Sequence, residues 1–138
     1  MIRNAAKVAG LCEKIAEQVD SKRMSRLFAV IHLQARQFRV VEGDIIHIEH
    51  NVELKFGDRI KLEKVLAVGN ANFTLLGRPT LSKDLVSVNA TVIEKTTTSP
   101  DVQYLKVSGK QIENLKWLSR ELTVLRINQI QVDSKHLQ

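Results

Sequence analysis

One cysteine, Cys12, stands in 138 residues, which excludes an intramolecular disulfide framework and a cysteine-built zinc site. No apolar run approaches the ~18 to 20 residues that span a bilayer, so no membrane partner is expected. Aromatic residues make up 4% of the chain, which leaves the core to Val, Ile and Leu, a usage that fits a β-rich domain. Chemistry is scarce as well. There is no Gly-rich phosphate loop, no HExxH pair and no serine in an elbow motif. His47 and His50 lie three apart, a metal-binding spacing on a helix, but on a strand and its following turn they point apart; His32 and His136 are distant in sequence. All four read as surface histidines. Asp44, Asp58 and Asp84 sit at turn positions, where aspartate serves local hydrogen bonds. No catalytic residue, metal site, cofactor or small-molecule substrate is expected.

What is present is a folded chain of one-domain length, 43% hydrophobic. It carries a net charge of +6 and a pI of about 9.7, in the range of nucleic-acid binders. The excess is uneven. Residues 1–26 hold six basic and three acidic groups, residues 27–69 six of each, and residues 70–138 nine against six. The centre is therefore neutral, and attraction for a polyanion must come from local clusters and the ends.

Between Leu27 and Glu49 apolar residues alternate with period two, in three runs separated by Gln34-Ala35 and Glu42-Gly43-Asp44. These breaks have room only for tight turns, so the stretch predicts three consecutive strands in a meander. Its first turn is expected to carry Arg36, Gln37 and Arg39 outward together. Ile60, Leu62, Leu66 and Val68 keep one parity through a further strand, in which Lys64 predicts a bulge or strand end. Gly69-Asn70-Ala71-Asn72 has hairpin chemistry, and Gly77-Arg78-Pro79 ends the strand that follows. Val86, Val88, Ala90 and Val92 alternate cleanly, and 96–100 breaks that strand. Leu122 to Val132 changes parity between Ile127 and Ile130, which predicts a second bulge. The fold class is mainly β, a small β-sandwich or barrel-like domain of about six to eight strands.

Val8, Leu11, Ile15 and Val19 are spaced three and four apart, predicting an amphipathic helix over 4–19 that Asn4 could cap. Arg3 and Lys7 precede any acid, as in a mitochondrial presequence, whereas Glu13, Glu17 and Asp20 argue against a transit peptide throughout. Residues 1–26 are thus read as a leader running into a helix that packs on the first strand. Residues 27–132 form the β domain, and 133–138 a tail.

The motif FAVIHLQARQFRVVEGD, from Phe28 to Asp44, resembles the opening of the bacterial-type large-subunit ribosomal protein twenty-one family. The run from Phe56 to Thr97 is similar to the mitochondrial branch of that family, and Thr123 to Val132 continues the likeness. The resemblance implies a compact sandwich in the mitochondrial matrix, bound to large-subunit ribosomal RNA and neighbouring ribosomal proteins. It also implies that Arg36, Gln37 and Arg39 match the family's basic turn, and that Lys95 stands at the root of an RNA-entering arm.

In that arm the chain departs from the family. Members carry a segment dense in Lys and Arg, whereas Tyr104 to Glu121 holds only Lys106, Lys110, Lys116 and Arg120 against Glu113 and Glu121. Ile112, Leu115, Leu118 and Leu122 fall at helical spacings, and Ser108 with Gln111 matches a capping box, so the spacing predicts a helix before the last strand. Two readings stand: a helix packed on the sandwich with Trp117 partly buried, or Lys110, Lys116 and Arg120 facing phosphates while Trp117 stacks on a base. Arg78 and Lys83, on turns, join the candidate RNA contacts. The runner-up function is a protein-interaction adaptor that has lost RNA binding with the basic arm. An exposed stripe at Ile112, Leu115 and Leu118 would favour it.

Overall fold

Strand alternation becomes strand pairing over most of the chain. The computed structural model describes residues 2–21 and 25–137, with 2–4 as backbone alone. Met1, residues 22–24 and Gln138 lie outside, and with them the expected passage from helix to first strand. Helix α1 (Ile2–Asp20) is followed by strands β1 (Phe28–Leu33), β2 (Arg36–Val41), β3 (Ile45–Ile48), β4 (Arg59–Leu62) and β5 (Val65–Gly69). Then come β6 (Thr74–Leu76), β7 (Val86–Thr97), β8 (Asp101–Val107), β9 (Ile112–Leu118), β10 (Glu121–Val132) and a 3-10 turn at Ser134–His136.

Eight strands form two open four-stranded sheets, β2-β1-β5-β6 and β3-β10-β7-β4, and all their pairings are antiparallel. Between them lies an aliphatic core in which Ala29, Ile31, Val40 and Val68 of the first sheet meet Val88, Ala90, Val92, Leu125 and Ile127 of the second. Every one of these is buried to 2% exposure or less. β-branched side chains fit a pleated, half-buried surface, which is why so few aromatics suffice.

The meander expected over Leu27–Glu49 holds for β1 and β2 only. Glu42-Gly43-Asp44 is a corner, and β3 crosses to the opposite sheet to pair with β10. The corner is fastened to β10: the Gly43 N–H donates to the Ile127 carbonyl and the Ile127 N–H to the Asp44 carbonyl, both at 2.8 Å. The Glu42 carboxylate accepts from the Ile130 N–H at 2.9 Å. The expected parity change in the last strand is real, since register with β7 shifts between Ile127 and Gln129. Lys64 marks a strand end at which the chain changes sheets again, from β4 to β5. The turn at Asn70 forms as its residues require: its side-chain oxygen accepts from the N–H groups of Asn72 and Phe73 at 2.8 and 3.0 Å.

Helix α1 begins at Ile2, so Asn4 lies inside it rather than capping it. Instead of lying along β1, it is held by its last turn. Val19 packs against the core, and the Ser134 hydroxyl donates to the Asp20 carboxylate at 2.9 Å. Val8 and Leu11 are exposed, and Val8 lines a shallow depression with Leu137.

The helix expected before the last strand is absent. Residues 101–118 form the antiparallel hairpin β8–β9, turning at Gly109 with φ +75°. Every side chain of β9 is exposed, and Trp117, at 66% exposure, is not packed on the sandwich. The hairpin continues the β7–β10 pair, whose register runs from Val86↔Val132 to Thr97↔Glu121.

One local conflict is left in the β1–β2 turn. Gln34 and Ala35 both take positive φ, 46° and 61°, the backbone of a two-residue turn that normally calls for Asn-Gly. Left-handed backbone costs a non-glycine residue about 1 to 2 kcal/mol. Ala35→Gly is therefore expected to stabilise the protein by about 1 kcal/mol, read as a higher urea midpoint at constant slope. A lower midpoint would show that the turn is not strained at Ala35.

Candidate nucleic-acid interface

Strand parity separates the three residues expected to project together. Arg36 shares the parity of Phe38 and Val40 and leans over the open end of the sandwich, while Gln37 and Arg39 face the outer side of the first sheet. The Arg39 guanidinium lies 5.0 Å from the Phe28 ring centroid, a cation–π arrangement that keeps the charge outside while covering the ring.

Arg36 is instead brought to Arg120, 84 positions later in the chain. Both line a cleft of about 330 Å³ with Leu33, Gln34, Phe38, His47, Ile48, Glu49 and His50. Arg120 sits where the hairpin joins the sandwich. Its guanidinium donates to the Glu49 carboxylate at 2.8 Å, and its backbone pairs with Thr98. The pair is largely exposed, so its worth to stability is small. Its effect is positional: it ties the hairpin root to β3. His47 and His50, read as pointing apart, line this one cleft because the turn after β3 brings His50 back over Thr123, whose hydroxyl donates to the His50 carbonyl at 2.9 Å.

A second depression lies across the β1–β2 turn, lined by His32, Gln34, Ala35, Lys61, Glu63 and Lys64. Lys83 reaches its rim, pairing with Glu63 at 2.6 Å, while the Lys61 ammonium donates to the Lys83 carbonyl at 2.9 Å. Arg78 is exposed on the loop after β6, whose ends are pinned to β5 by Gly77 N–H to Leu66 and Leu81 N–H to Val65. Neither Lys61 nor Lys64 is among the candidate RNA contacts read from the sequence, where Lys64 figures only as a bulge or strand end. The signal that could have found them was the strand break at Lys64.

Lys95 stands at the hairpin root but points away from both depressions. Half-buried, it donates to the carbonyls of Val52 and Leu54 at 2.6 and 2.8 Å, so most of its hydrogen-bonding capacity is spent on holding the loop between β3 and β4. On the hairpin, Lys106 pairs with Glu113 at 3.4 Å. Lys110 lies in the tip turn and Lys116 on β9, and no ion pair involves either among the described residues. What the arrangement offers is two guanidiniums at a cleft, a lysine-rich rim, and a projecting hairpin with cations along it. Guanidinium and ammonium groups so placed are able to hold phosphates without reading sequence.

The family model described as Ribosomal prokaryotic L21 protein matches residues 27–130. The chain is 43% identical over 124 residues to the large ribosomal subunit protein bL21m of Mus musculus, covering 90% of this chain and 59% of that one. It is 39% identical over 92 residues to bL21m of Dictyostelium discoideum, covering 61% and 52%. It is 31% identical over 104 residues to the large ribosomal subunit protein bL21 of Opitutus terrae, covering 75% and 98%. The chain thus spans little more than half the length of these two bL21m relatives, the mitochondrial form, and its likeness to them exceeds that to the bacterial protein.

The Lys83 ammonium, by hydrogen bond and then by charge, holds the Glu63 carboxyl below the ordinary glutamate range. A depressed carboxylate contributes stability that is present above its unfolded pKa and lost as pH falls through the folded one. An NMR titration of the side-chain carboxyls should find the Glu63 midpoint on the acid side of an ordinary glutamate, and Lys83→Met should move it upward. An unmoved midpoint would mean that the pair does not form in solution.

Proposed function

Because the chain belongs to the bacterial-type large-subunit ribosomal protein twenty-one family, we propose that it is a non-catalytic structural constituent of the mitochondrial ribosome's large subunit. There, in the matrix, it binds large-subunit ribosomal RNA and neighbouring ribosomal proteins and so supports mitochondrial translation. Residues 27–132 are the ribosomal domain, flanked by the segment 1–26, which contains helix α1, and the tail 133–138. The observation that carries the reading is the hairpin β8–β9, at whose root Arg120 lines one cleft with Arg36.

In this mechanism the sandwich is a solid wedge between RNA helices. Arg36 and Arg120 clamp one stretch of backbone at the hairpin root, while Arg78 and Lys83 face another across the β1–β2 turn. Gln37 and Arg39 contact RNA along the outer face. Lys110 and Lys116 neutralise phosphates along the hairpin, and Lys106 adds its N–H groups beside Glu113. Lys95 acts by fixing the loop beneath the root. Counterion release makes such binding steeply dependent on salt.

Two measurements test this. Sedimented through sucrose, mitochondrial extract should carry the chain with the large subunit at moderate and high salt; a chain that remains at the top of the gradient ends the reading. With large-subunit ribosomal RNA in isolation, Arg36→Ala should flatten the plot of log affinity against log salt by about 0.7 to 0.9, one phosphate contact. An unchanged slope would remove Arg36 from the interface.

A further inference from the structure

The hairpin sorts its side chains by face. Cross-strand register places Val102 opposite Trp117, Tyr104 opposite Leu115 and Lys106 opposite Glu113 on one side. On the other side are Asp101 with Leu118, Gln103 with Lys116, Leu105 with Asn114 and Val107 with Ile112. The stripe read as Ile112, Leu115 and Leu118 is therefore divided, with Leu115 on the first face and the other two on the second. The first face is the continuous one: Val102, Tyr104, Leu115 and Trp117 adjoin one another and are 50%, 59%, 56% and 66% exposed. A two-stranded hairpin is marginal in water by itself, so a face of this composition is built to be covered.

Charge decides between the two kinds of cover. An RNA-facing surface needs cations that are free to meet phosphates. The sole cation of this face, Lys106, is matched by Glu113 across the strands. The face therefore offers no unpaired cation to a phosphate, whereas Lys116, on the opposite side with Asp101, is in no ion pair among the described residues, and Lys110 lies at the tip. Trp and Tyr set among aliphatic side chains, with charges kept to the margin, is the composition of a protein–protein interface core.

We infer that the face formed by Val102, Tyr104, Leu115 and Trp117 docks on an uncharged, apolar surface of a neighbouring protein in the large subunit, while the Lys116 side meets RNA. This rests on the ribosomal reading and divides the hairpin between two classes of partner.

Photocrosslinking inside the assembled particle tests it. The photoreactive residue p-benzoylphenylalanine is placed in the full chain at Tyr104 or, separately, at Lys116. Large subunits are purified and irradiated, and adducts are sorted by ribonuclease treatment and peptide mass spectrometry. From position 104 the expected adduct resists ribonuclease and contains a peptide of a large-subunit protein; from position 116 the adduct contains RNA. Nuclease-sensitive adducts from position 104 would overturn the assignment and give this face to RNA. In a second measurement, Val102→Asp with Leu115→Asp leaves the sandwich untouched. It should lower the chain's occupancy of salt-washed subunits at least tenfold, and undiminished occupancy would also overturn the assignment. If the wild-type chain is missing from the subunit altogether, the ribosomal reading falls first; if it is present but position 104 joins RNA, only this inference falls.

Discussion

The backbone ladder between β7 and β10 is what the rest of the molecule hangs on. Each strand is twelve residues long, the two are the inner pair of one sheet, and β10 also takes in β3 while β7 takes in β4. Central strands satisfy their N–H and C=O groups on both edges, so the element with the most side-chain burial is also the one with the fewest free backbone groups. The corner at Glu42-Gly43-Asp44 docks onto the bulged part of β10 through three hydrogen bonds. The bulge is therefore an attachment point, which releases backbone groups of β10 to bind a passing chain. From the far end of the same ladder the hairpin departs, so its direction is set by the stiffest part of the core.

Charge is arranged around that scaffold rather than within it. The neutral stretch 27–69 supplies most of the first sheet, and three of its basic residues, Arg36, Lys61 and Lys64, collect at the rim, where β1 turns into β2 and β4 into β5. Several cations from later in the chain are partnered by protein: Arg120 by Glu49, Lys83 by Glu63, Lys106 by Glu113 and Lys95 by two carbonyls. Such exposed pairs add little to stability but hold long side chains in place. A protein that displays positive charge toward a polyanion gains when that charge is already ordered.

The two-sheet core was legible because burial on one face imposes period two on Val, Ile and Leu. The bulge near Asn128 and the break at Lys64 were legible as slips in that period. Sheet membership was not: a tight turn and a corner look alike in sequence, and only the bonds from Gly43 and Asp44 to Ile127 distinguish them. The 104–121 segment misled for a related reason. Ile112, Leu115 and Leu118 fall at helical spacing by coincidence, and Ser108 with Gln111 imitates a cap. The better signal was Gly109 between Tyr104-Leu105-Lys106-Val107 and Ile112, two runs of strand formers around a residue suited to left-handed backbone. The cleft itself was half legible. Arg36 and Arg120 were both named, but their meeting depends on a contact between residues 84 apart, which no local pattern encodes.

The exposed hairpin also sets an order of events. The sandwich encloses its own core and can reach its final form as a free chain, whereas β8 and β9 have no second layer of their own. On the ribosomal reading proposed above, their hydrophobic complement belongs to a partner, and completion of the fold and completion of the assembly are then one thermodynamic step for this part of the chain. Left uncovered, the hairpin presents two unshielded strand edges and an aromatic face, a liability for self-association. On that reading, prompt incorporation rather than any further stabilisation of the sandwich is what would keep such a protein safe.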